Sequence, residues 1–157
     1  MTWTPLTRQR LAAAGLCIAA LSASALAQAQ PAQQMVSVSG ATLNMRSGPG
    51  TNAPVLWELK KGYPLQITQR KGNWVQVRDF EGDTGWVARS LTGNAPHHVV
   101  KAKVANIRSG PGTQHRVVGK ADYGELLRTR EKRADWVRVE RAEGPGGWVA
   151  KTLLWGW

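Results

Sequence analysis

Asn44-Met-Arg-Ser-Gly-Pro-Gly-Thr51 returns as Asn106-Ile-Arg-Ser-Gly-Pro-Gly-Thr113, 62 residues further along the chain. The same offset carries Gly62 onto Gly124, Leu65 onto Leu127 and Trp74-Val-Gln-Val77 onto Trp136-Val-Arg-Val139. It continues from Glu81-Gly82 to Glu143-Gly144 and from Gly85-Trp-Val-Ala88 to Gly147-Trp-Val-Ala150, closing with Leu91 and Leu153. An offset that never slips means that both copies have the same loops, hence the same fold. Two units of about 60 residues are duplicated domains, because a solenoid needs three or more shorter units. The turn-forming Gly93-Asn-Ala-Pro96 marks the boundary between them.

Within each copy the side-chain period is two. Trp74, Gln76 and Arg78 alternate with Val75, Val77 and Asp79; Trp136, Arg138 and Glu140 alternate with Val137 and Val139. Tyr63, Leu65 and Ile67 read as a further strand, as do Leu126 to Thr129. Lys60-Lys-Gly62, Lys71-Gly-Asn73 and Glu81-Gly-Asp83 are the turns, and no stretch has a helical period. The expected fold is all-β: two tandem small, strongly bent antiparallel β-barrels, each of five or so short strands. A domain of this size buries only about 60% of its unfolded surface. Large Trp side chains are therefore expected to help fill each core.

Composition narrows the function. The 157 residues carry 21 Lys+Arg against 10 Asp+Glu, a formal charge of +11, and 42% are hydrophobic, which excludes disorder throughout. The single Cys17 excludes a disulfide framework and a multi-Cys zinc site.

The N-terminus reads as an address. Arg8 and Arg10 precede the apolar run Leu11 to Leu21, and Ala25-Leu-Ala27 supplies a small-x-small cleavage pattern, with Ala27-Gln-Ala29 as a second. The expectation is a signal peptide over 1–27 and a flexible leader over 28–35. A retained membrane anchor is the alternative, but Ser22, Ser24 and Gln28 interrupt the run short of the roughly 20 apolar residues a span needs. Cleavage after Ala27 removes Cys17 and leaves 19 basic and 10 acidic residues, a net +9. The expected product is exported, periplasmic or secreted, and soluble.

The ordered set Asn-x-Arg-Ser-Gly-Pro-Gly-Thr, Val-Leu, Gly before a strand, Trp-Val-x-Val and Gly-Trp-Val resembles the bacterial Src-homology-3 domain. The resemblance covers nearly all of residues 36 to 154, in both copies, and places the first barrel at 36–93 and the second at 98–157, with a Trp-rich end. It implies five-stranded to seven-stranded barrels, found in exported proteins and often attached to cell-wall hydrolases, which commonly bind peptidoglycan or peptides. The departure is the absence of an attached catalytic domain.

Candidate site residues carry two readings each. Arg46-Ser-Gly-Pro-Gly50 and Arg108-Ser-Gly-Pro-Gly112 lack the Lys-Ser/Thr end and following helix of a nucleotide loop. Arg46 and Arg108 then either brace a turn or contact a ligand. Trp74, Trp86, Trp136 and Trp148 read as barrel or groove-wall residues. Trp57 and Phe80 differ, because the second copy has Gly119 and Ala142 in their places. A fold that accepts Gly and Ala there does not need the aromatics for its core. Both are candidates for a binding surface or for the contact between copies. Trp155-Gly-Trp157 reads as a cap over a barrel end.

Charge also divides the copies. Residues 36–96 hold seven basic and four acidic residues, a net +3; residues 97–157 hold twelve and six, a net +6. Arg128, Arg130 and Arg138 head the excess, Arg128 and Arg130 on one face by alternation. This is either a solvated face or an attraction to anionic envelope polymers. The export signal argues against nucleic acid.

A cell-wall peptidase needs a Cys–His pair, and the mature chain has no Cys. A glycosidase needs two carboxylates across a cleft, whereas the acids here are scattered on turns. No enzyme, cofactor or metal is expected. The expected function is non-catalytic binding in the cell envelope, with peptidoglycan or its peptide stems as ligand. The alternative is an adaptor that recognises a peptide segment of another envelope protein.

Overall fold

The computed structural model describes residues 33–157, so the signal-peptide and Cys17 readings lie outside the described residues. The first copy contributes β1 (Met35–Val38), β2 (Thr42–Arg46), β3 (Val55–Lys60), β4 (Pro64–Lys71), β5 (Trp74–Arg78), β6 (Thr84–Ala88) and β7 (Thr92–Gly93). The second contributes β8 (His97–Val100), β9 (Val104–Arg108), β10 (Val117–Asp122), β11 (Leu126–Arg133), β12 (Trp136–Glu140), β13 (Gly147–Ala150) and β14 (Leu154–Gly156). Each copy forms one seven-stranded antiparallel sheet, in the orders β3-β2-β6-β5-β4-β1-β7 and β10-β9-β13-β12-β11-β8-β14. Positions 62 residues apart therefore occupy the same place in both sheets.

Seven strands, rather than about five, follow from pairings that local pattern does not show. β7 is only two residues long and pairs with β1 through Ser37 to Gly93 and Val38 to Thr92. β14 takes the same place beside β8, pairing Trp155 with Val99 and Gly156 with His98. Trp155 and Gly156 of the Trp-rich ending thus belong to the closing strand of the second sheet rather than to a separate cap. Bulges at Ile67/Gln69 in β4 and Thr129/Glu131 in β11 recur at the same repeat position. A bulge bends its strand and raises the local twist, which lets so short a sheet curl on itself.

Each copy has its own aliphatic core. Val36, Val38, Leu43, Met45, Leu59, Leu65, Val75, Val77 and Val87 form the first. Val100, Ala105, Ile107, Ala121, Leu127, Val137, Val139, Val149 and Leu154 form the second. Trp is absent from both clusters, although Trp86 and Trp148 are buried, in keeping with the expectation that indoles help fill the barrels. Alternation explains the absence: Val75, Val77 and Val87 point inward, so Trp74 and Trp86 fall on the outer face. Trp86 and Trp148 are nonetheless only 9% and 7% exposed, and the Arg133 guanidinium lies over the Trp148 ring, 5.3 Å from its centroid.

Gly85 and Gly147 precede these tryptophans for a steric reason. A Cβ on Gly85 would lie 2.5 Å from Met45 Cγ, and one on Gly147 would lie 2.5 Å from the Arg108 carbonyl oxygen. Only a residue without a side chain lets β6 approach β2, and β13 approach β9, so closely.

Both barrels lie in one compact unit, Ala32–Trp157. The connecting segment is tied at both ends: Ser37 Oγ donates to the Ala95 carbonyl at 2.8 Å, and the Thr129 N–H donates to the Pro96 carbonyl at 2.9 Å.

Candidate binding site

The Arg-Ser-Gly-Pro-Gly loops are held from within. Arg46 Nη1 donates to the Ala53 carbonyl at 2.7 Å, and Arg108 Nη1 donates to the Thr113 and His115 carbonyls at 3.0 and 2.9 Å. The guanidinium satisfies carbonyls that the irregular loop cannot pair with a strand. Both arginines are half-buried at the root of the loop.

The arginine face divides in two. Arg130 and Arg138 line a groove of about 990 Å³ in the second barrel, together with Arg116, Val117, Val118 and Trp148. Arg130 is paired with Glu140 across the β11–β12 ladder. Arg128 instead lines a different groove, of about 880 Å³, between the barrels. Period-two alternation put Arg128 and Arg130 on one face. The bulge between Thr129 and Glu131 bends β11, and the two side chains serve different surfaces.

The two unshared aromatics also separate. Trp57 is 54% exposed on the edge strand β3, beside exposed Val55 and Leu56. At the equivalent Gly119, a Cβ would meet Pro145 Cγ at 3.2 Å. The second barrel thus covers with Pro145 a place that the first, with Asp83, leaves open. Phe80 lies 6.2 Å from the Tyr63 ring and 5.4 Å from the Tyr123 ring of the second barrel, both tilted. The Tyr123 hydroxyl donates to Glu81 Oε1 at 2.6 Å. Phe80 therefore belongs to the contact between copies and Trp57 to the open surface.

Three features were not read from the sequence. The carboxylates of Asp79, Glu81 and Asp83 converge within 4.8 Å of one another on one hairpin. Asp79 Oδ1 accepts the Glu81 and Asp83 N–H groups at 3.0 and 2.9 Å, shaping the turn that presents Phe80. Burial first, and then the neighbouring Asp79 and Glu81, push the Tyr63 phenol up from its ordinary range. The hydrogen bond to Glu81 raises that of Tyr123.

His98 is the third. It is 2% exposed, and its Nδ1 shares a 2.6 Å hydrogen bond with Thr129 Oγ1. Burial pushes its pKa down from 6.5 to about 4, with Lys132, Lys151 and His97 acting in the same direction against a hydrogen bond to the Trp157 backbone. A His-His pair at the start of a strand carries no signal that one ring faces inward, opposite a Thr 31 residues away.

Comparison with known proteins agrees with this architecture. Family models described as "Bacterial SH3 domain" match residues 39–93 and 103–154. The chain is 29% identical over 123 residues to the putative N-acetylmuramoyl-L-alanine amidase YrvJ of Bacillus subtilis, covering 71% of this chain and 24% of that protein. It is 38% identical over 45 residues to the probable cell wall amidase LytH of Staphylococcus epidermidis, covering 28% of this chain and 16% of the relative. The chain thus spans about a quarter or less of the curated relatives it matches. Among solved structures, an NlpC/P60 family protein from Bacillus cereus aligns with a TM-score of 0.37 and 15% identity, over 78% of this chain and 56% of that one. NlpC1 from Trichomonas vaginalis aligns with a TM-score of 0.36 and 14% identity, over 78% and 45%. With two seven-stranded antiparallel sheets repeating at a fixed offset, and both copies matched, the chain belongs to the bacterial SH3 domain family and carries two such domains in tandem.

Proposed function

We propose that this protein is an exported, non-catalytic binding module of the cell envelope that recognises peptidoglycan or its peptide stems. The observation that carries the reading is the second-barrel groove, where Arg116, Arg130 and Arg138 surround an apolar strip of Val117, Val118 and Trp148. Cations beside an aromatic and aliphatic wall suit a polymer that alternates carboxylates with apolar sugar and alanyl faces. Exposed Trp57 on the first barrel offers a second apolar contact. Similarity to relatives named as a putative N-acetylmuramoyl-L-alanine amidase and a probable cell wall amidase supports a place at the wall. It covers a small share of each, so their activity is not carried over. One observation favours an adaptor as second reading: β3 is an edge strand exposing Val55, Leu56 and Trp57, and an edge can accept an extended peptide.

Co-sedimentation with purified peptidoglycan over a salt series tests the proposal. Surface charges are screened over about 8 Å at physiological salt, so neutralising Arg116 and Arg138 should weaken binding at low salt and flatten its salt dependence. Trp57→Ala should weaken binding equally at every salt concentration without lowering the melting temperature. A parent protein that stays in the supernatant throughout the series removes the proposal.

A further inference from the structure

The junction between the barrels is built from the same positions on both sides, and only one side is filled. On the filled side, Tyr123 of the second barrel packs on Phe80 of the first at 5.4 Å and donates its hydroxyl to Glu81. The residues 62 positions away are Lys61 for Tyr123, Ala142 for Phe80 and Glu143 for Glu81. Lys61, Ala142 and Glu143 all line the inter-barrel groove of about 880 Å³. Two aromatic rings close one half of the junction; a lysine and an alanine leave the other half open.

The open half also has a distinct charge. Glu125, at the repeat position of Tyr63, is already bound by Arg141 Nε at 2.6 Å. Among the described residues, Lys60, Lys61, Arg128 and Glu143 line the groove without an ion-pair partner, three cations against one carboxylate, while Glu140 is held by Arg130. Leu126 and Ala142 provide apolar wall between them. An open apolar wall next to an excess of unpaired cations asks for a ligand with a flat apolar group and an anionic group close together.

The geometry points to a ligand site between the barrels for a peptide that presents an aromatic side chain next to a carboxylate, such as a chain ending in a free C-terminal aromatic residue. The ring takes the place that Phe80 and Tyr123 occupy on the filled side, against Ala142, Leu126 and the methylene stem of Lys61. The carboxylate sits among Lys60, Lys61 and Arg128, where an ionised acceptor makes the stronger class of hydrogen bond. This site is separate from the Arg138 groove and does not depend on the peptidoglycan reading.

The test titrates the dipeptide Gly-Phe, its C-terminal amide and Gly-Gly into the isotope-labelled full chain, following backbone amide signals. Gly-Phe should shift the Lys61, Ala142 and Glu143 signals saturably at low millimolar concentration. The amide should bind about tenfold more weakly, because it lacks the charge that the three cations meet, and Gly-Gly should not saturate. Ala142→Phe refills the groove from within and should abolish the response while the melt and co-sedimentation with peptidoglycan stay as in the parent. Lys61→Glu, on an exposed turn, serves as the second variant and should also abolish it. Absence of saturation, equal binding of the amide or of Gly-Gly, or an undiminished response in either variant overturns the proposal.

Discussion

The two barrels share a strand order and the centre of a core, and differ at the positions around it. Val36, Leu43, Leu59 and Ile67 in the first correspond to His98, Ala105, Ala121 and Thr129 in the second. One barrel buries large aliphatic groups. The other buries two alanines and a hydrogen-bonded His–Thr pair in the same positions. The shared positions are the inward Val38/Val100, Leu65/Leu127, Val75/Val137, Val77/Val139 and Val87/Val149, and those that turn or approach the chain: the Arg-Ser-Gly-Pro-Gly loop, Gly62/Gly124, and Gly85/Gly147 ahead of the buried Trp. Topology in this small fold follows from backbone geometry at a few sites, and the filling of the core can then drift. A polar pair in place of apolar packing gives the second barrel a buried imidazole, and with it a dependence on acid pH through a group that the first barrel does not have.

The difference can be broken most sharply in the first core. Leu43 is 2% exposed, and truncating a buried Leu to Ala costs about 2–5 kcal/mol. Leu43→Ala should lower the first barrel's unfolding transition by that amount and leave the second barrel's nearly unmoved, since Ala105 already holds the equivalent place. Hydrogen exchange resolved by residue separates the two. An equal loss of protection in both barrels would show that they unfold as one unit.

His98 sharpens the comparison next. Its folded pKa is about 4 against 6.5 for the free side chain, so below pH 6.5 the unfolded chain binds the proton more readily than the folded one. The contribution is complete above pH 6.5 and is lost as pH falls toward 4, amounting to roughly 3 kcal/mol. Denaturant melts at pH 7 and pH 4 should show this loss in the second barrel. The double variant His98→Val with Thr129→Ile, which copies the first barrel's pair, should remove this share of the pH dependence. A second barrel whose stability is flat from pH 7 to pH 4 places the imidazole in contact with water.

The smallest effect lies in a turn. Ala134 has φ of 48°, where the first copy has Gly72 at 58°. A side chain in the left-handed region costs about 1–2 kcal/mol, offset in part by the greater chain entropy of glycine. Ala134→Gly should therefore raise the second barrel's stability by about 0.5–1 kcal/mol. A thermal melt shifted downward would contradict the strain.

The repeat itself was legible because an unbroken offset is global evidence, independent of any local rule. The β-class was legible because Trp74-Val-Gln-Val77 and Trp136-Val-Arg-Val139 alternate cleanly. β7 and β14 were not, since two or three residues hold no period and their partners lie more than 50 residues earlier in the chain. Divergence between the copies singled out Trp57 and Phe80 as surface residues and left their surroundings open. In the folded chain one stands on an open edge and the other against Tyr123. The arginine excess was legible as a number. Its division between two grooves depends on a bulge in β11, which composition does not encode.

What the amino-acid sequence determined by itself is therefore the duplicated β-architecture, the alternation of Val with Trp, and the positions where the copies are free to differ. These rest on local periodicity, on glycine sterics and on comparison of the chain with itself. The tertiary structure decided which ring closes the junction, which groove each arginine faces and which histidine loses contact with water. Each of those depends on side chains from strands distant in sequence meeting at one place, and a barrel brings them together only when its last strand pairs with its first.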